Sequence, residues 1–237
     1  NYPMLQGVIF DVGGTLIYSN DNHFEPANAW SAANFLRSQG FDFDAAEFAK
    51  QLVDLRRVSP RGDAELRQIN TTAQHLQLVA KQVGLELSDN LLPRLEHAFV
   101  TPEVYGAVAL PGVQEVVKSL VGKVRLGVIS NTRSHVLIEE TVKHLGLRDC
   151  FDTFVTSVSA GYRKPSPRIF QAVLDVWKLP SEQVVMIGDS PSKDVAPATS
   201  LGMKTIWLTA DSSETETGRA DRVAKMPKDI LEILEAW

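Results

Sequence analysis

A parallel α/β fold, interrupted after its first strand by a helical insertion, is predicted by three features of the chain. Five short segments are dense in β-branched and aliphatic residues, as in strands buried on both faces. Between the last four lie stretches of about a dozen residues with helical apolar spacing, as a βαβ series requires. The interval from residue 18 to residue 104, by contrast, carries no strand-like run.

The elements follow in order. Leu5–Phe10 (LQGVIF) reads as the first strand. Helical spacing then covers Phe24–Gly40, Asp44–Val58, Ala64–Val83 and Asn90–Val100, broken at Gly40, Pro60-Arg61-Gly62 and Gly84. Val124–Ser130 (VRLGVIS) resumes the sheet, and Thr132–Leu145 predicts a helix stopped by Gly146. Asp152–Val158 (DTFVTSV) is the third strand. Ser166-Pro167 reads as an N-cap with proline at the first helical position, opening a helix to Trp177. Val184–Ile187 (VVMI) is the fourth strand, and Ser190-Pro191 opens a helix that Gly202 closes. Lys204–Leu208 (KTIWL) is the fifth, followed by a polar loop over 211–220 and a short helix ending at Trp237.

Composition narrows the function. The 237 residues are 44% hydrophobic and 22% charged, a globular mixture with apolar mass for a core. Lys and Arg number 24 against 29 Asp and Glu, a net charge of −5, so no bulk positive field exists to hold nucleic acid or an anionic membrane. No apolar run approaches the roughly 18 residues of a bilayer span, and no basic-then-apolar leader opens the chain. The single cysteine, Cys150, excludes an internal disulfide framework and a multi-cysteine zinc site. The expectation is a soluble protein of a reducing, cytoplasmic compartment, as monomer or homodimer.

Ligands of an open parallel sheet bind at the carboxyl ends of its strands. Those ends carry Asp11, Ser130-Asn131 and Asp189, with Lys164 in the loop after the third strand. Asp11, in Asp11-Val12-Gly13-Gly14-Thr15-Leu16, reads either as a nucleophile or metal ligand beside a tightly turning Gly-Gly pair, or as a turn-capping Asp. Ser130-Asn131-Thr132 offers an anion site at a helix N-terminus or a plain N-cap. Arg163-Lys164-Pro165 sets two cations at the wrong end of the next helix dipole, so an anion is expected near Lys164, while Arg163 reads as a solvated loop residue. Asp189 and Asp194, with Asp11, make three acids that repel one another unless a cation sits among them. Hard oxygen ligands of this kind suit Mg²⁺, although Asp194 also suits a helix first turn.

In their order and placement these motifs resemble the haloacid dehalogenase-like (HAD) hydrolases, specifically members with a helical (C1-type) cap inserted after the first motif. The resemblance covers essentially the whole chain, and Leu110-Pro111-Gly112-Val113 resembles the family's return from cap to core. It implies a Rossmann-like core of residues 1–17 and 106–237 and a cap of residues 18–105. It implies Asp11 as nucleophile, and Ser130, Asn131 and Lys164 cradling a phosphoryl group with Gly14 and Thr15 nearby. It also implies Mg²⁺ held by Asp11, the Gly13 carbonyl and Asp189, with Asp194 as ligand or support. His23 stands where some cap-bearing relatives carry a histidine near the substrate.

One position departs from the pattern. HAD phosphatases usually carry a second Asp, the general acid and base, two residues after the nucleophile; here it is Gly13. A positioned acid–base group contributes about 10²- to 10⁴-fold in rate. Three functions are therefore open: a Mg²⁺-dependent phosphohydrolase of a small phosphorylated metabolite, slow on poor leaving groups; a 2-haloacid dehalogenase-type hydrolase; or a weakly active or inactive phospho-ligand-binding or interaction protein. The two further acids favour phosphate over halide. Phosphonate cleavage ranks lower, because the cap lysines Lys50 and Lys81 lie in no recognisable context. In the cap, Arg56, Arg57, Arg61 and Arg67 are expected on a solvated face, and Trp30, Phe35 and Phe48 in the cap core.

Overall fold

The computed structural model describes residues 4–19, 23–214 and 220–237. Its strands are β1 (Gly7–Phe10), β2 (Arg125–Ser130), β3 (Thr153–Thr156), β4 (Val184–Gly188), β5 (Lys204–Leu208) and β6 (Arg222–Ala224). They form one sheet in the order β3-β2-β1-β4-β5-β6, with every neighbouring pair parallel. β1 and β4 are buried at every residue, which is why their sequences lack polar alternation. β1 pairs with β2 on one side and β4 on the other, Phe10 standing opposite both Val128 and Ile187. The strand order reverses there, leaving a crevice beyond the carboxyl end of β1.

After β1 come, among the described residues, the four helices of the insertion: α1 (Glu25–Ser38), α2 (Ala45–Val58), α3 (Thr72–Gln82) and α4 (Leu91–Gly106). They close on their own apolar cluster, with Leu36, Phe48, Leu52, Leu76, Leu95 and Phe99 at its centre. The sheet is covered on both faces. Val8 and Phe10 point to α5 (Val113–Leu120), α6 (His135–His144) and the C-terminal helix, while Ile9 points oppositely. After α7 (Ser157–Ala160), the second face is covered by α8 (Pro167–Trp177) and α9 (Ala196–Ser200); α10 (Asp229–Glu235) ends the chain. The fold is thus the expected Rossmann-like α/β sheet with an all-helical insertion. No described helix is long and apolar enough to cross a membrane.

Several elements differ from the sequence expectation, each for a local reason. Ala64–Val83 is helical only from Thr72, because Thr71 and Gln74 form a reciprocal capping box there. Ahead of it, Asp63 accepts from the backbone of Glu65 and Arg67, and Leu66 and Asn70 adopt positive φ. α4 runs past Val100 to Gly106 through Pro102. That proline cannot donate to the Ala98 carbonyl, which instead accepts from Ser31 Oγ at 2.6 Å. The helix after Ser190 begins as a wide π turn, Pro191–Val195, before α9. Helix α5 and strand β6 were not anticipated; β6 is three residues long and two of them are exposed. Trp30, expected in the cap core, is 45% exposed, whereas Phe48 is fully buried and Phe35 packs on the cluster edge. Cys150 is unpaired and packs against the core.

Candidate active site

The first turn after β1 is set by hydrogen bonding. Asp11 N–H continues the β4 pairing by donating to Ile187 O at 2.9 Å, and the Val12 carbonyl accepts from Leu16 at 2.8 Å and Ile17 at 3.1 Å. This hairpin-tight path needs Gly14 at φ +75°, and a Cβ there would lie 2.5 Å from the Asp189 carboxyl carbon. At Gly188 a Cβ would lie 2.3 Å from the Asp194 carboxyl. Two glycines therefore let two carboxylates approach closely.

Lys164 joins the acids. Its ammonium lies 2.8 Å from Asp11 Oδ1 and 2.6 Å from Asp194 Oδ1, with a longer 3.4 Å contact to the Ile129 carbonyl. Both amide atoms of Asn131 hold the Lys164 backbone, Oδ1 accepting from Lys164 N–H at 2.8 Å and Nδ2 donating to Lys164 O at 2.9 Å. The π turn points Asp194 inward, where it is fully buried and accepts from Ser190 N–H at 3.1 Å. Around the Asp189 carbonyl, Trp207 Nε1 and Ser212 Oγ donate at 2.8 and 2.6 Å.

Asp11, Asp189 and Asp194 each place a carboxylate oxygen within 4.8 Å of the others. Burial, then the neighbouring charges of Asp11 and Asp194, pushes Asp189 up to about 8. Burial also raises Asp194, to about 6, against the pull of Lys164. Burial lowers the Lys164 ammonium, but Asp11 and Asp194 together outweigh it and hold the group above the usual lysine range. Once all three carboxylates are ionised, one ammonium against them leaves two negative charges. An all-oxygen donor set with that residual charge fits a divalent cation.

Removing the ammonium tests the balance. In EDTA, Lys164→Met is expected to cost about 3–5 kcal/mol of stability, because Asp11 and Asp194 are left buried and uncompensated. Urea unfolding measures the loss, and Asp194→Asn in the same chain restores part of it. A Lys164→Met chain as stable as wild type would show that the ammonium compensates nothing.

The acids open into a cleft of about 420 Å³ between sheet and helical insertion. Asp11, Gly13, Ser130, Asn131, Lys164 and Asp189 line it. Ser130 Oγ has no hydrogen-bond partner among the described residues, so it is available to a ligand. Asp194 stands behind Lys164, off the cleft wall. Gly14 and Thr15 also lie off it; Thr15 is fully buried, its hydroxyl without a partner among the described residues. His23 is exposed and lines an adjoining cleft beside Arg57.

Sequence reasoning missed part of the wall. Arg56, expected on a solvated face, has a side chain only 8% exposed and pairs with Glu25 at 2.6 Å. Arg57 and Arg67 are exposed as expected, Arg67 pairing with Asp63. Arg163, expected in a solvated loop, is partly buried on the cleft and donates to Gln68 Oε1 at 2.6 Å. Arg133, three residues past the end of β2, is 6% exposed and lines it too. Its signal was a cation on the ligand-binding edge of the sheet.

An open parallel sheet with acids gathered at its switch point, beneath a helical insertion, defines an α/β protein with a ligand-binding crevice at its strand ends. The chain belongs to the haloacid dehalogenase-like hydrolase family, whose model matches residues 5–202. It is 28% identical over 231 residues to the glyceraldehyde 3-phosphate phosphatase of Methanothermobacter thermautotrophicus, covering 97% of this chain and 96% of that enzyme. It is likewise 28% identical to the ribulose-1,5-bisphosphate 5-phosphatase of Halopiger xanaduensis, covering 93% and 92%. The pyrimidine 5'-nucleotidase YjjG of Escherichia coli matches at 31% over 128 residues, 54% of this chain and 56% of that one. Among solved structures, a 2-haloacid dehalogenase from Pseudomonas syringae superposes with a TM-score of 0.69 at 24% identity, covering 99% and 100% of the two chains. That likeness concerns the fold.

Proposed function

We propose that this hydrolase is a Mg²⁺-dependent phosphatase of a small phosphorylated metabolite, working through an aspartyl-phosphate on Asp11. The observation that carries the reading is the retention of Asp189 and Asp194 around the Asp11–Lys164 pair. Carbon–halogen cleavage by a carboxylate needs no such concentration of acids, whereas a phosphoryl dianion approaching Asp11 needs cations. Within the proposal, residues 18–105 act as cap over a core of 1–17 and 106–237.

Asp11 attacks phosphorus as the ester P–O bond breaks, and the alcohol leaves carrying the bond's electron pair and then a proton. Water attacks the aspartyl-phosphate, releasing phosphate and restoring the Asp11 carboxylate. Ser130 Oγ and the second Nδ2–H of Asn131 donate to phosphoryl oxygens. A phosphoryl oxygen would also replace Ile129 O, the longest of the three Lys164 contacts. Mg²⁺, held by Asp11, Asp189 and the Gly13 carbonyl with Asp194 in support, would supply charge neutralisation for the phosphoryl group. At Gly13 no side chain protonates the leaving oxygen, so aryl phosphates are expected to exceed alkyl ones. Phosphate release from an aryl and a sugar phosphate, with Mg²⁺ and with EDTA, tests the reading; no release from either with Mg²⁺ sinks it.

Metal binding has its own readout. At Mg²⁺ one hundred times its Kd, linkage gives about 2.7 kcal/mol, a rise in Tm of about 5–10 °C for a chain of this size. Asp189→Asn should remove the rise. The sign with pH follows from the raised acids. Their folded pKa values exceed the usual 3.8, so the metal-free fold binds more protons than the unfolded chain and loses stability as pH climbs from about 4 to about 8. A cation must displace the Asp189 proton, so the Mg²⁺-dependent rise grows between pH 5.5 and 8. A rise that is flat with pH, or intact in Asp189→Asn, would place the metal elsewhere.

A further inference from the structure

Arg56, Arg61, Arg133 and Arg163 line the same cleft as Asp11. Arg56 is neutralised: Glu25 pairs with it, Thr72 Oγ1 accepts from it at 3.0 Å, and it lies 4.7 Å from the Phe99 ring centroid. Arg133 and Arg163 differ. Arg133 Nη1 donates to Arg56 O at 2.9 Å and Nη2 to Ser59 O, while its buried Nε has no partner among the described residues. The Arg163 guanidinium donates, among the described residues, only to the Gln68 amide oxygen. Among the described residues neither meets a carboxylate within salt-bridge distance. Each guanidinium has five N–H donors, so these neutral acceptors leave most of them unmatched.

Burying cations without counter-charge is unfavourable, and the surroundings register it consistently. Burial, then Arg56 and Arg133, drives buried His75 down to about 4, and neither of its ring nitrogens has a partner among the described residues. Burial, then cationic neighbours led by Arg56, lowers Arg133 to about 10, despite Glu25; burial and Arg61 lower Arg163 to about 10. This end of the cleft is a built positive region. It is held by backbone contacts between core and cap, Arg163 N–H to Leu66 O at 2.8 Å and Thr72 N–H to Arg133 O at 2.8 Å.

We propose that Arg133 and Arg163 bind a second oxyanion of the substrate, a carboxylate or a second phosphate on the molecule whose phosphoryl group meets Asp11. The proposal rests on the phosphatase reading and adds the substrate class: a doubly anionic small metabolite, which the 420 Å³ cleft accommodates. Arg133 spans core and cap, so the subsite is complete only with the cap closed. Binding of the remote anion therefore favours the closed arrangement in which the phosphoryl group is sequestered.

The experiment measures kcat/KM with Mg²⁺ on glycerol 3-phosphate, 3-phosphoglycerate and ribulose 1,5-bisphosphate, which carry a neutral, a carboxylate and a phosphate tail. One or both doubly anionic substrates should exceed glycerol 3-phosphate by about 10- to 100-fold, and the favoured arm identifies the oxyanion. Arg163→Gln should bring the ratio towards one, mainly through KM, and Arg163→Lys should restore part of it. A wild-type ratio near one overturns the subsite while leaving the phosphatase intact; so does a ratio that both Arg163→Gln and Arg133→Lys leave unchanged. Where turnover of these alkyl esters is too slow to rank, calorimetric binding of the same compounds to the Mg²⁺-loaded protein replaces it. Tighter binding of the doubly anionic compounds, lost in Arg163→Gln, supports the subsite, and equal or undetectable binding overturns it. Cleavage of an aryl phosphate reports on the phosphatase reading separately.

Discussion

Asp11→Asn is expected to lower phosphate release by about 10⁴- to 10⁶-fold, the scale of losing a covalent nucleophile, without lowering stability. The two outcomes are linked through the same three acids. An amide at this position keeps a carbonyl oxygen for the Lys164 contact, 2.8 Å in the wild-type chain. It also removes one of the charges that raise Asp189 and Asp194. Metal-free Asp11→Asn should therefore melt at or above the wild-type temperature while being inert. A fold-destabilised inert variant would point to a structural Asp11, and retention of a tenth of the activity would exclude it as nucleophile. Acid quench of wild-type enzyme during turnover of an aryl phosphate should trap a phosphoryl adduct on Asp11 that the variant lacks.

Much of this arrangement was legible because it depends on local rules. Doubly buried strands read as continuous apolar runs, and Ser166-Pro167 marks the start of α8 to the residue. The strand-end rule brought Asp11, Ser130 and Asp189 together before any contact was known. What remained hidden depends on partners distant in sequence. Arg163 looked solvated because nothing near it in the chain shows that the inserted segment at Gln68 folds over it. Arg133 reaches the carbonyls of Arg56 and Ser59, more than seventy residues away. Asn131 looked like a ligand-binding amide, and nothing local in the chain shows that its two polar atoms also position Lys164, thirty-three residues on. Thr15 and Gly14 were placed near substrate by motif, but the turn they make faces the core and the Asp189 carboxyl. The π turn that buries Asp194 follows no helix-propensity rule.

Gly13→Asp should raise activity on an alkyl phosphate by about 10²- to 10⁴-fold, the usual contribution of a positioned acid–base group, and change aryl phosphate cleavage far less. The structure makes this substitution practicable. A Cβ at Gly13 would meet no atom within 4 Å, and the residue does not use the positive-φ region that Gly14 occupies. Gly13 also lines the cleft beside Asp11, so a short acidic side chain there enters solvent-filled space rather than displacing packed groups. The difference between leaving groups is the informative readout. An aryloxide departs without protonation, whereas an alkoxide requires a proton as the P–O bond breaks, so only the alkyl ester senses the new acid. A fourth carboxylate near Asp11 and Asp189 also adds repulsion, and stability in EDTA should fall while the Mg²⁺-dependent rise in Tm increases. A gain on the alkyl ester alone would mean that the missing acid limits the natural enzyme. Equal gains on both esters would mean that the new carboxylate acts through the metal, and no gain on either would mean that another group already supplies the proton.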